Sequence, residues 1–305
     1  SFGIGIEGGT LEASNVHIIT RGGLGHGVSV RGGDVQLRDS VVETHNQASG
    51  LVVSDGSALI ERVRFEQNTS GNAVMLEYGG NARATLRDVQ INGTGAGASG
   101  ISSGLGSQLL LENVDINLTH ERAGAGLYVA GDVEFRGGRI HTAGANGSVI
   151  SFATGGGGSL LLDGVVMDGT WGVGLRKGSY LDMRNSQLEA EKSGIDLGME
   201  DGEANIESSS IVVRNGVGVS VLGNSKATVH ASAITTGGDH NPAVAVYHGD
   251  ATLSQTRLHT TGMNAHALHT FGDNITTPSI TASHIDVLTE GESAYGATAR
   301  KGGTV

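Results

Sequence analysis

Apolar and polar positions recur in a fixed order along this chain. In Ala84-Thr85-Leu86-Arg87-Asp88-Val89-Gln90-Ile91, a large apolar residue is followed three places on by a small or β-branched one. Another large apolar residue comes five places on. The unit recurs about twelve times, centred on Leu11, Leu37, Ile60, Leu86, Leu111, Phe135, Leu162, Met183, Ile206, Val229, Leu253 and Ile280. The first and last centres are 269 residues apart over eleven intervals. That is a period of roughly 24 residues, the size of one coil in a β-solenoid.

Each period predicts three short strands. The first reads apolar-x-apolar after a glycine or small residue, as in Val28/Val30, Leu51/Val53, Val74/Leu76, Leu127/Val129, Ile195/Leu197, Val219/Val221 and Val244/Val246. Period-two alternation buries one face of such a strand. A glycine-rich turn follows, then the second strand, which carries the repeating centre. The third strand's inward column is Val16, Val42, Phe65, Ile91, Ile116, Ile140, Met167, Leu188, Ile211, Ile234, Leu258 and Ile285. No coil can bury its apolar face alone, so neighbours must stack. A helical solenoid needs longer runs of 3.6 periodicity and tolerates little internal glycine. The expectation is an all-β, right-handed, three-faced parallel β-helix of about 12 coils, one domain over 1–305.

The residue after each centre points outward. That column reads Glu12, Arg38, Glu61, Arg87, Glu112, Arg136, Asp163, Arg184, Glu207 and His230, with signs alternating. Opposite charges on adjacent strands attract and like charges repel, so the column fixes register.

Composition narrows the function. There are 52 glycines, two prolines and no cysteine, and the formal net charge is -12. Without cysteine there are no disulfides, thiolate metal sites or thiol nucleophiles. The acidic balance argues against nucleic acid and anionic membrane as partners. No apolar run reaches the roughly 20 residues of a membrane-spanning helix, so no direct membrane insertion is expected. The pattern is already under way at Ser1, which reads as a segment of a longer, exported chain. Asn68, Asn92, Asn117, Asn146 and Asn274 head Asn-x-Ser/Thr sequons, acceptors only in a eukaryotic source.

Candidate chemistry is sparse. Glu43 with Glu66, and Asp168 with Glu189, fall at equivalent third-strand positions, about 4.8 Å apart on adjacent coils. That is near the separation of a retaining glycosidase pair, and it supports polysaccharide cleavage as the alternative reading. His240, His248, His259, His266 and His269 gather late in the sequence, but none forms His-Glu-x-x-His. No catalytic residue, metal or cofactor is expected. The candidate protein-binding residues are Tyr128, Ile150, Phe152, Leu222, Tyr247 and Phe271, on or just beyond the first strand. Trp171 and Tyr180, in and near a turn, form a second set. Binding hot spots favour Tyr and Trp. The other reading of the first set is that the chain bends inward there and buries them.

Gly126-Leu127-Tyr128-Val129-Ala130-Gly131 and Gly218-Val219-Ser220-Val221-Leu222-Gly223-Asn224-Ser225 resemble segments of the pertactin-type autotransporter passenger domains. The looser pattern of that family runs through nearly the whole chain. The resemblance implies a β-helix exported through the outer membrane by a C-terminal barrel that lies outside this sequence. It implies a non-enzymatic virulence factor, on the bacterial cell surface or secreted. Its partner would be a host extracellular or serum protein: a matrix protein in adhesion, or a complement or contact-system regulator such as a serpin in immune evasion. The family's Arg-Gly-Asp is missing, since Arg31-Gly32-Gly33-Asp34 has an extra glycine. So are its proline-rich repeats, with only Pro242 and Pro278 present. Integrin-type adhesion therefore does not carry over.

Overall fold

Alternating burial runs through nearly every strand, and the coils stack on that alternation. The computed structural model describes all residues except 1, 2, 24, 46, 199, 200 and 274–276. Among the described residues there is no helix. The strands pair in parallel, each with the equivalent strand of the next coil. The backbone divides into two units, Ser1–Ala153 with Gly158–Leu160, and Thr154–Gly157 with Leu161–Val305.

In the first unit, the first-strand core column runs Ile4, Val28, Leu51, Val74, Ile101, Leu127, Ile150. The second-strand column runs Ala13, Leu37, Ile60, Leu86, Leu111, Phe135. The third runs Ile18, Val42, Phe65, Ile91, Ile116, Ile140. In the second unit the three columns are Val173, Ile195, Val219, Val244, Leu268; then Met183, Ile206, Val229, Leu253; then Met167, Leu188, Ile211, Ile234, Leu258. All of these except Ile4 and Ala13 are buried. Three apolar columns thus line the axis in each unit.

The expected register holds from Leu37 to Phe135 and from Met183 to Leu253, but both outermost coils are displaced by two residues. Leu11 pairs with Val35, and Ala13 takes the place opposite Leu37. Ile280 pairs with Ala251, and Ala282 lies opposite Leu253. On the third strand, Ile18 and Val287, not Val16 and Ile285, continue the inward column. A two-residue slip keeps the same side chains inward, so hydrophobic alternation cannot detect it.

The corner between second and third strands has its own device. One residue per coil turns left-handed there: Asp39, Arg62, Asp88 and Asn113 in the first unit, and Asn185, Ser208, Ala231, Gln255 and His284 in the second, all with φ between 48° and 54°. The next residue is often serine. Its hydroxyl accepts from the preceding coil's backbone, as in Ser186 N to Ser209 Oγ and Ser209 N to Ser232 Oγ, both 3.1 Å. The same hydroxyl donates to the carbonyl two residues back, Ser209 to Glu207 at 2.7 Å. These serines give the corner amides a partner within the protein.

Candidate binding surfaces

The outward column of the second strand is an ion-pair ladder in the first unit. Arg38 Nε donates to Glu61 at 2.7 Å, Arg87 Nη1 lies 3.5 Å from the other Glu61 oxygen, and Arg87 Nε meets Glu112 at 2.5 Å. Hydrogen bonding from Arg38 is the main influence holding the Glu61 carboxyl below its ordinary value; partial desolvation works against it, and Arg87 adds to it. Glu12 is not part of the ladder, because it pairs with Gln36 and Ser14 stands beside Arg38. Arg136 turns to Glu134 on its own strand, and Arg184 to Asp182 at 2.6 Å.

Arg87→Glu places three carboxylates on consecutive coils. It is expected to lower Tm by a few degrees at low salt, with the loss shrinking near 1 M salt, where the Debye length falls to about 3 Å. The Glu61 carboxyl is depressed in the fold, so its contribution is complete above its unfolded value. It is lost as pH falls through the lower folded value. The difference between wild type and variant therefore closes in acid, a trend that thermal melts across pH will read.

The two acidic pairs lie in register, Glu43 with Glu66 and Asp168 with Glu189. Their surroundings are those of ion pairs. Glu43 contacts His17 at 3.2 Å and His45 at 2.5 Å. Glu66 contacts Arg64 at 2.8 Å and accepts from Asn92 at 3.0 Å. Arg214 binds Glu189. Desolvation pushes the Glu43 carboxyl upward, but hydrogen bonds and charge from His45 and His17 outweigh it and leave the group lowered. A glycosidase acid requires the reverse shift. Among the sequons, Asn92 is tied to Glu66, and Asn274 lies outside the described residues.

The eight candidate surface residues separate. Ile150 and Phe152 are core, opposite Leu127 and Val129, and both are buried. This corrects their outward assignment. Val149 and Ile150 are both apolar, so alternation leaves the phase of that strand open, and pairing with Leu127–Val129 fixes it. Tyr128, between those two partners, points outward and is half-buried. Leu222, Tyr247 and Phe271 form a half-buried column on consecutive coils of the second unit, each next to the paired residues Val221, Val246 and Thr270. Trp171 is exposed, with Lys192 Nζ 5.2 Å from its ring centre. Tyr180 is exposed and accepts a hydrogen bond from Asn205 at 2.9 Å.

Among the exposed residues that escaped the sequence reading, two stand together. Tyr78 is 54% exposed and Leu105 is 53% exposed. They stand at neighbouring turns, where Gly79 N donates to Leu105 O at 3.2 Å. Tyr78 also shares a side-chain hydrogen bond with Tyr128. Desolvation, and then this bond, push its phenol up to about 12. The ring is open to solvent while the hydroxyl is satisfied within the protein. The signal was a bulky apolar residue set among turn glycines, in Tyr78-Gly79-Gly80 and Gly104-Leu105-Gly106. A side chain at such a turn has no core to enter.

The late histidines also divide. His259 pairs with Glu290 at 2.8 Å and His248 with Asp273 at 3.5 Å. His240, His266 and His269 instead line a cavity of about 340 Å³ with Tyr247, Asn264 and Arg300. The His266 and His269 ring centres are 5.7 Å apart, with Tyr247 6.3 Å from His269 and Tyr295 5.4 Å from His266. Tyr295 N donates to His266 Nδ1 at 3.1 Å, and His269 Nδ1 is 2.7 Å from Thr298 Oγ1. Desolvation, then the charges of Arg300 and His240, lower His266. Desolvation, then His266 and Arg300, lower His269. Among the described residues no group of three or more His, Cys, Asp or Glu is placed to hold a metal ion.

Parallel pairing coil by coil, with three inward columns in each unit, defines a parallel β-helix. A family model described as "Right handed beta helix region" matches residues 26–157 and 72–234, and the chain belongs to that family. No curated protein matches the sequence. One similar solved structure is an alginate lyase from Paenibacillus sp. str. FPU-7, 12% identical, covering 87% of this chain and 92% of that one at a TM-score of 0.45. Likeness at that distance carries no information about activity.

Proposed function

We propose that this β-helix acts by binding a host protein rather than by catalysis, as an exposed part of an exported bacterial surface or secreted protein. The observation that carries this reading is the Tyr78–Leu105–Tyr128 cluster in the first unit. Tyr78 and Leu105 stand exposed at neighbouring turns, and half-buried Tyr128 hydrogen-bonds the Tyr78 phenol. A rigid aromatic anchor loses little side-chain freedom on binding, which is how hot spots gain affinity. The coil stack beneath supplies rigidity. The enzymatic alternative finds less support: Glu43, Glu66 and Glu189 each meet a basic side chain, and Glu43 is lowered rather than raised.

The test is retention of serum and extracellular-matrix proteins by the immobilised chain and by a Tyr78→Ala, Leu105→Ser double variant. A partner held by the chain and weakened at least about tenfold in the variant supports the reading. Equal retention by both, or a partner for neither, counts against it. Both positions are exposed, so the variant's melting temperature should stay within a few degrees of wild type.

A further inference from the structure

The cavity in the second unit is the place where the chain's charge pattern inverts. The whole chain carries -12, yet three histidines and an arginine converge here, and the described lining contains no carboxylate. Arg38, Arg64, Arg87, Arg136, Arg184 and Arg214 each meet a carboxylate oxygen. The Arg300 guanidinium has no carboxylate partner among the described residues; the charged or titratable groups it acts on here are His266 and His269. A guanidinium without a carboxylate, beside imidazoles that can take up a proton, favours an anion at this place.

Tyr247 lines the cavity, and two further aromatic rings, Tyr295 and Phe271, pack against its histidines. Tyr247 stands at the edge of His269, and Tyr295 lies tilted over His266. Phe271, two residues along the same strand, stacks on His269, with Lys301 Nζ 4.7 Å above its ring. Asn264 adds an amide that can both donate and accept. A bare inorganic anion uses only the cations. A sugar acid uses all three features: its anionic group meets the cations, its ring C–H face packs on an aromatic ring, and its hydroxyls meet the amide and the phenol. We propose that this cavity binds an acidic saccharide, a pyranose unit bearing a carboxylate or a sulfate, with Arg300, His266 and His269 holding the anionic group and Tyr247 the ring. The volume of about 340 Å³ lies at the small end of ligand pockets, enough for one or two sugar units.

The site has a built-in pH response. His266 faces His240, His269, Tyr295 and Arg300; His269 faces His266, Tyr247, Phe271, Thr298 and Arg300. Both imidazoles are lowered, so at neutral pH Arg300 is the standing charge. A bound anion favours the protonated rings, so affinity rises as pH falls through their lowered values.

The full chain is titrated with an oligogalacturonate, a heparin-derived oligosaccharide, a neutral maltooligosaccharide and inorganic sulfate, by calorimetry and by the histidine ring-proton signals in NMR. At least one acidic saccharide is expected to bind, about tenfold more tightly near pH 5.5 than near pH 7.5, with His266 and His269 signals shifting. Arg300→Gln and His269→Gln should each weaken binding about tenfold, with circular dichroism unchanged. Binding of the uronate alone assigns a carboxylate ligand, and binding of the heparin fragment alone a sulfate ligand. Equal binding of the neutral oligosaccharide or of inorganic sulfate, unchanged affinity in both variants, or no saccharide binding overturns the proposal. The site is separate from the Tyr78–Leu105 cluster, so the Tyr78→Ala, Leu105→Ser variant should bind the saccharide normally, and either reading can fail alone.

Discussion

Replacing Phe65 with alanine is expected to cost about 3–5 kcal/mol of folding stability. The ring is 1% exposed and sits in the third-strand column between Val42 and Ile91. It also fills the space beneath Gly50, where an added Cβ would stand 2.6 Å from Phe65 Cδ1. Alanine leaves a void between two coils whose backbones are held apart by parallel ladders, so the site cannot collapse to fill it. Phe65→Leu keeps most of the volume and should cost no more than about 1.5 kcal/mol. Guanidinium unfolding of both variants checks the pair. A loss below about 1 kcal/mol for the alanine would contradict the column assignment.

Gly262→Ala is the second large effect, and it arises from crowding instead of a void. A Cβ on Gly262 would lie 1.8 Å from the carbonyl oxygen of Gly238 and 2.3 Å from its carbon. One coil further on, a Cβ on Gly291 would lie 1.7 Å from the Gly262 oxygen. The obstruction is backbone, so no side chain can rotate out of the way. The expected loss is about 3 kcal/mol, the upper end for overpacked sites. Met263 N to Asp239 Oδ1, 2.8 Å, is the first hydrogen bond to go. His266 lies four residues along, so saccharide binding should weaken too. Gly174→Ala is the control, since an added Cβ there meets nothing within 4 Å. Thermal melts that place both variants together would remove the close-packing account of this turn.

The middle of each stack was legible because two independent signals agreed. Leu86 belongs to an apolar column and Arg87 to an alternating charge column, and both give the same neighbours, Ile60 with Leu111 and Glu61 with Glu112. At Leu11 and Ile280 the agreement broke down. Ala251 to Ile280 spans 29 positions where Ile206 to Val229 spans 23. The extra length moved the register by two, a shift that apolar alternation does not resolve. At Glu12 the charge alternation pointed to the wrong partner, because Ser14 takes the place beside Arg38. The left-handed corner residues were hidden for another reason. Ala231 and Gln255 occupy the same φ as Asn113, and neither residue type advertises that conformation.

The candidate surfaces were legible only in part. Tyr128, Tyr247 and Phe271 could be placed outside from strand phase, but Ile150 and Phe152 could not, because Val149 blurred the alternation. The cavity gathers His240, His266, His269 and Arg300 from three successive turns of chain. Those residues were visible in the sequence as a scatter of histidines. Their convergence with Arg300 depends on how the loops between third and first strands lie over the sheet, which the strand pattern does not encode.

The corner built from a left-handed residue and a hydroxyl also bears on how the chain reaches this state. Hydrogen bonds between coils of the second unit join residues from 20 apart, as in Gly164 with Arg184, to 31 apart, as in His259 with Glu290. Each new coil therefore closes a loop of nearly the same size, at nearly the same entropic cost, however long the chain already is. The last finished coil presents unpaired strands, a template for the next. Within a stack, a polypeptide arriving end-first can add one coil at a time, with the burial of each locking the one before. Its folding time then grows in proportion to its length, and no distant segment has to arrive before the work begins.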